Sequence, residues 1–218
     1  MVTGTLSLTA TAAILVAVAL TSLAPPAAAN DESKALLAFR NGFEDPHGIL
    51  DWVPNMVDPC TWVRVECNDD NRVTQLQLRD LNLSGRLAPE LGTLEKLQYM
   101  ELAGNNFEGP IPAEFGNLMS LVAMDLFNNK LSGPIPSTIG NLKSLVFLRI
   151  DHNRLSGPIP AELAALPALA EADFSNNDFC GTIPTGGAFQ NIPAKSFDNN
   201  PRLIRPGMEG PDSDNSSC

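Results

Sequence analysis

A pattern that returns every 24 residues between Leu94 and Pro184 constrains this chain more than anything else in it. Leu97-x-x-Met100-x-Leu102-x-x-Asn105 recurs as Leu121-x-x-Met124-x-Leu126-x-x-Asn129, Leu145-x-x-Leu148-x-Ile150-x-x-Asn153 and Leu169-x-x-Ala172-x-Phe174-x-x-Asn177. A weaker fifth copy precedes them, with Leu76 and Leu78 at the two strand positions and Leu81 in place of asparagine. Each copy runs into a turn: Gly109-Pro110-Ile111-Pro112, Gly133-Pro134-Ile135-Pro136, Gly157-Pro158-Ile159-Pro160 and Gly181-Thr182-Ile183-Pro184, with Gly85-Arg86-Leu87-Ala88 as the degenerate first. A period in this range specifies a solenoid.

Apolar residues two apart, such as Met100 and Leu102, read as a short strand with one buried face. So short a strand cannot bury that face alone, and stacked copies would form one parallel sheet on the concave wall of an arc. Asn105, Asn129, Asn153 and Asn177 fall where the chain leaves the strand. There a buried amide can serve backbone groups that the turn leaves unpaired. Prolines on both sides of the isoleucine predict a return segment that is extended or loosely helical, not a regular α-helix. The repeated leucines and asparagines thus make the fold, and function must be sought between them.

Residues 1–29 carry no charged side chain and hold an apolar run from Ala10 to Leu20, then Pro25-Pro26 and Ala27-Ala28-Ala29. This predicts a signal peptide cleaved after Ala29, although its start lacks Lys or Arg. The run is shorter than the roughly twenty apolar residues of a membrane span, and no later stretch qualifies. The sequence is therefore expected to give a secreted chain without membrane insertion. The formal charge of −11 falls wholly after residue 29 and argues against nucleic acid and anionic lipid as partners.

Residues 30–71 read as an N-terminal cap. Asp31 to Phe43 predicts an amphipathic helix with Leu36, Phe39 and Phe43 on one stripe, acidic Asp31 and Glu32 in its first turn, and Asn41-Gly42 as its stop. Trp52, Trp62, Cys60 and Cys67 stand where the open end of a stacked core needs cover. Four cysteines allow three pairings. Cys60 with Cys67 closes a small ring and leaves Cys180 with Cys218; zinc is disfavoured, because no Cys-x-x-Cys pair exists and secretion favours disulfides. Residues 72–184 hold the five repeats, and after Pro184 the period stops. In residues 185–218, Phe189, Phe197 and Leu203 form the expected lid, followed by an irregular tail. Asn82-Leu83-Ser84 and Asn215-Ser216-Ser217 are acceptor sequons, so Asn82 and Asn215 are the candidate glycosylation sites.

The repeat with Gly-x-Ile-Pro resembles the plant-specific class of leucine-rich repeats, and Trp52 with Cys60-Thr61-Trp62-x-x-x-x-Cys67 resembles their N-terminal cap. The implied fold is an α/β solenoid, a short right-handed arc with a parallel sheet on its concave face. The layout over residues 31 to 184 is similar to the ectodomain of the somatic embryogenesis receptor kinases, which are short co-receptors. Cys180-Gly181-Thr182-Ile183-Pro184, Phe189, Phe197, Asn200-Pro201-Arg202-Leu203 and the terminal cysteine instead resemble small secreted, kinase-less plant proteins of this class. That resemblance implies defence signalling, an apoplastic location or a peripheral one at the plasma membrane, and a protein partner. The partner would be a receptor kinase ectodomain or a membrane complex of hypersensitive-induced reaction type, met by a chain that is monomeric alone.

Between the buried positions three columns face solvent: Gln75, Tyr99, Ala123, Phe147, Glu171; Gln77, Glu101, Asp125, Arg149, Asp173; and Arg79, Ala103, Phe127, Asp151, Ser175. Aromatic residues beside arginine are the types that dominate protein interfaces. By resemblance, Tyr99, Glu101, Asp125, Phe127, Phe147 and Arg149 match the partner-binding surface of the co-receptors. Val63, Arg64 and Ala103 depart from that family's pattern. The alternative for the charges is a solvated cross-strand ladder of Asp125, Arg149 and Asp173, worth little. Neither His47 nor His152 sits in a nucleophile, metal or phosphate motif, so an enzyme is not expected and neither is a cofactor or metal. The second functional class is an inhibitor of a secreted pathogen cell-wall hydrolase, resembling polygalacturonase-inhibiting proteins, which have about twice the repeats.

Overall fold

The computed structural model describes residues 27–53, 58–206 and 218, with side chains from residue 31 onward. Most of the signal peptide and the sequon at Asn215 lie outside these residues. The strands Val65–Cys67, Val73–Gln77, Tyr99–Glu101, Ala123–Asp125, Phe147–Arg149 and Glu171–Asp173 form one sheet in chain order. Its first pair is antiparallel and every later pair is parallel. Leu76, Met100, Met124, Leu148 and Ala172 stand in register as one buried row.

The return segments divide in two. Each first forms an extended stretch, and these pair into a second sheet of Phe43–Glu44, Ser84–Arg86, Asn106–Gly109, Lys130–Gly133, Arg154–Pro158, Asp178–Thr182 and Arg202–Ile204. Pro112, Pro136 and Pro160 then introduce single 3-10 turns, Ala113–Asn117, Ser137–Asn141 and Ala161–Ala165. The glycine before each Pro-Ile-Pro turns the chain out of the second sheet at φ near 80°, a region that side chains avoid. Stacking of the 3-10 turns is tight: a Cβ on Gly116 would lie 2.4 Å from the carbonyl oxygen of Thr138. The leucines and isoleucines of all the segments fill one continuous core.

The asparagines hold the turns together. Asn177 donates through Nδ2 to the carbonyls of Ile150 at 3.0 Å, Phe174 at 3.3 Å and Ser175 at 3.2 Å. Its Oδ1 accepts from Leu155 N at 3.0 Å, one repeat back. Asn105, Asn129 and Asn153 make the same set of contacts. The ladder does not end at Pro184, where the 24-residue period of the sequence stops. Asn200 donates to Phe174 O at 3.0 Å and Phe197 O at 3.1 Å and accepts from Phe179 N at 3.0 Å. The backbone continues too, with Phe174 N bonding Ser196 O and Arg202–Ile204 extending the second sheet. The C-terminal cap is therefore a partial repeat. Phe197 stacks on Phe174 with ring centroids 5.4 Å apart, and Phe189 joins them at 5.6 Å. Leu203 remains half-buried beside this lid.

The N-terminal cap differs from expectation in two ways. The helix spans Ala27–Asn41, so Asp31 and Glu32 lie beyond its first turn and the expected cleavage point after Ala29 falls inside it. Phe43 is not on the helix: it sits in the strand Phe43–Glu44, paired antiparallel with Ser84–Arg86. It still reaches the core, forming a cluster with Phe39 at 4.8 Å and Phe107 at 5.8 Å. Glu32 is buried at 1% exposure because the start of the inner sheet needs an acceptor. Its carboxylate takes Val73 N at 3.0 Å and Arg72 Nε at 2.8 Å. Trp52 stacks on Trp62 at 5.6 Å and donates from its indole to Val63 O at 2.9 Å. In the structure Cys60 pairs with Cys67 and Cys180 with Cys218.

Alanine at position 177 would strand buried carbonyls and one N–H, each costing about 1–3 kcal/mol. Asn177→Ala should lower the unfolding free energy in urea by about 3 kcal/mol. Asn106→Ala, whose amide meets the exposed Asn82, should change it by about 0.5 kcal/mol or less.

Candidate partner-binding face

The strand register builds the columns that the sequence outlines. Gln75, Tyr99, Ala123, Phe147 and Glu171 are direct neighbours across the inner sheet, and so are Gln77, Glu101, Asp125, Arg149 and Asp173. Parallel strands bring such neighbours to about 4.8 Å, close enough for one partner to touch several repeats at once. The third column follows the strands. Its residues are held by bonds such as Gly104 N to Phe127 O and Asn128 N to Asp151 O.

In the middle of this face charge and ring form one cluster. Arg79 donates from Nη1 to Asp125 Oδ2 at 2.8 Å, and Arg149 Nη1 lies 3.5 Å from the same oxygen. Phe127 N donates to the other carboxylate oxygen at 3.2 Å. The Arg149 guanidinium lies over the Phe127 ring, 4.6 Å from its centroid, and the His152 ring meets Phe127 edge-on at 5.2 Å. Two half-exposed arginines and an aromatic ring are thus fixed to one spot, so little side-chain freedom is left to lose there on any further contact. Phe147 stands beside them with 41% of its surface exposed, while Tyr99 and Glu101 are half-buried.

Two positions depart from the sequence reading. Asp125 does not open to solvent as its column suggests: only 8% of it is exposed, and it anchors Arg79 and Arg149. Arg149 is bridged to Asp125 and, more distantly, to Asp151, so the charges form a clamp about Asp125 rather than an open ladder running to Asp173. Asp173 accepts from Ser175 N at 2.9 Å. Arg79 was not singled out, because its partner lies two repeats away.

His152 has a structural reason to exist. It occupies the left-handed position of its turn at φ 54°, in line with Asp80, Gly104, Asn128 and Asn176, a conformation that His, Asn and Asp tolerate better than most residues. Its Nδ1 meets Asp151 Oδ2 at 2.9 Å. On the cap, Val63 is 40% exposed, and Arg64, at φ 69°, accepts from Gln77 N at 2.9 Å, which joins the cap to the inner sheet. Toward the C-terminal end a hollow of about 390 Å³ is lined by Arg149, Glu171, Asp173, Asn191, Lys195 and Ser196 among others. Among the described residues no group of acidic, histidine or cysteine side chains is arranged to hold a metal ion.

Residues 29–68 match the family model for the leucine rich repeat N-terminal domain, and residues 96–118, 120–142 and 144–166 match the leucine rich repeat itself. The BIR2 ectodomain from Arabidopsis thaliana superimposes with a TM-score of 0.73 at 34% identity, covering 80% of this chain and 95% of that one. The chain belongs to the leucine-rich repeat family. A chain of the BIR3–SERK2 complex, also from Arabidopsis thaliana, gives a TM-score of 0.72 at 33% identity over 79% of this chain and 95% of that one. Leucine-rich repeat protein 1 from Oryza sativa subsp. indica is 57% identical over 77 residues, 35% of this chain and 36% of that protein. The match therefore spans about a third of that relative's length. The similar ectodomains make this a leucine-rich repeat fold of the kind found in plant receptor-binding modules.

Because its arginine partners are half exposed, the clamp adds little to stability. Asp125→Asn should cost about 1 kcal/mol in urea unfolding, while freeing Arg149 from its place over Phe127.

Proposed function

We propose that this leucine-rich repeat chain is a secreted or cell-surface recognition module in plant defence signalling. It binds a receptor kinase ectodomain or a membrane-associated complex through the concave face and performs no chemistry of its own. The observation that carries this reading is the fixed patch of Arg149 over Phe127 beside the exposed Phe147. Such pre-ordered aromatic and arginine side chains are the usual anchors of a protein interface. The similarity to a chain of the BIR3–SERK2 complex supports a protein as the partner.

Secretion rests on the leader read at residues 1–29, and no helix among the described residues is long and apolar enough to cross a membrane. Asn82 supports a glycan: it is exposed, and its Oδ1 is engaged by Asn106 while the side chain stays at the surface. Tyr99 and Glu101 would extend the contact toward the cap along the same strands.

Capture from plant membranes with the oxidised protein as bait tests the reading. The wild type should retain a receptor kinase or a membrane-complex component, and the Phe147→Ala, Arg149→Ala double variant should lose it, with affinity reduced on the order of tenfold or more. Equal retention by both would remove the concave face from the account. Retention of secreted hydrolases alone would replace it with the inhibitor reading.

A further inference from the structure

Asp151 is a carboxylate that neither stability nor the turn accounts for. Its side chain is 5% exposed, and its Oδ1 is buried without a hydrogen-bond partner. The cation paired with that oxygen, Arg149 Nε, lies 3.9 Å away, too far for a hydrogen bond. A buried, unpaired oxygen is costly when the group is ionised and much less so when it carries a proton.

Every element packed around Asp151 bears on that choice. From its own repeat come Arg149 and His152, the latter bonded to Oδ2 at 2.9 Å. From the preceding repeat come Asp125, which holds the other side of Arg149, and the uncharged Phe127. From the following repeat come Asp173 and Ser175, and Lys195 lines the hollow shared by Arg149 and Asp173. Burial pushes the Asp151 carboxyl above the usual aspartate range and the Asp173 charge adds to it, while the His152 bond and Arg149 act in the opposite direction.

We propose that protonation of Asp151 is a pH switch for the concave face, which deepens the reading of that face as the partner site. With the carboxylate ionised, Asp151 holds His152 and draws Arg149 inward between two acids. When it takes up a proton it attracts Arg149 far less, leaving the guanidinium with Asp125 alone and more of its charge available to an acidic partner. The sign follows from linkage. Between the unfolded and folded pKa values the folded state binds more protons than the unfolded one. The stability due to this group is therefore present in acid and lost as pH rises through the window above 3.8. Acid consequently stabilises the form that releases Arg149.

The test uses the isolated protein, so it stands apart from the capture experiment. The Arg149 Nε–H resonance is followed by NMR from about pH 7 to about pH 3. A titration step with a midpoint above 3.8 is expected. It should vanish in Asp151→Asn and persist in Asp173→Asn with a lower midpoint, since one like charge has been removed. A resonance that does not move, or that titrates equally in Asp151→Asn, overturns the proposal. Should Asp151→Asn fail to fold, Asp173→Asn decides alone, and an unshifted midpoint there also overturns it.

Discussion

The structure depends on a requirement to pair backbone groups at a corner. Each repeat leaves a short strand and turns sharply, and a buried turn of this kind exposes carbonyls and an N–H to an apolar interior. The asparagine amide supplies both donors and an acceptor in one side chain, and links its own repeat to the one before. Because the same solution recurs at each corner from Asn105 to Asn200, the repeats stack in strict register. That register lines up the solvent-facing columns on the inner sheet.

The proposed recognition surface follows from the register with few further residues. Asp125 is buried beneath the face and gathers Arg79 and Arg149, and Phe127 lies under the second guanidinium. The acid serves as an internal anchor, and the face it leaves toward solvent is cationic and aromatic on a chain whose formal charge is −11. Asp151, one repeat further along, adds a group whose charge state depends on the medium. Rigid stacking and adjustable charge therefore coexist: the backbone ladder supplies the first, and a carboxylate at its edge the second.

Much of this was legible in the sequence because it is periodic. The leucine rows, the asparagine ladder and the inner-sheet columns all repeat at one spacing and stand in the structure as that spacing requires. The partial repeat at Asn200 was harder to see, since it keeps the Phe-x-Asn-Asn spacing of Phe174 to Asn177 but lacks the leucines and the Gly-x-Ile-Pro turn that announce the others. The second sheet was missed for a related reason. Its strands show no apolar alternation, and their signal is the buried residue two after each asparagine, Phe107, Leu131, Leu155 or Phe179. Contacts that skip a repeat, Arg79 with Asp125, or that cross from cap to sheet, Glu32 with Val73, have no periodic signature at all. They became visible only once the fold placed the side chains.

A protein partner seated on the concave face between Tyr99 and His152 would shield the inner strands from solvent. Amide hydrogen exchange of the chain with and without a bound receptor ectodomain tests it most directly. Slower exchange is expected in the partner's presence along Tyr99–Glu101, Ala123–Asp125 and Phe147–Arg149 and their following turns. Protection confined to the second sheet or to the C-terminal lid, with the inner strands unchanged, would contradict it.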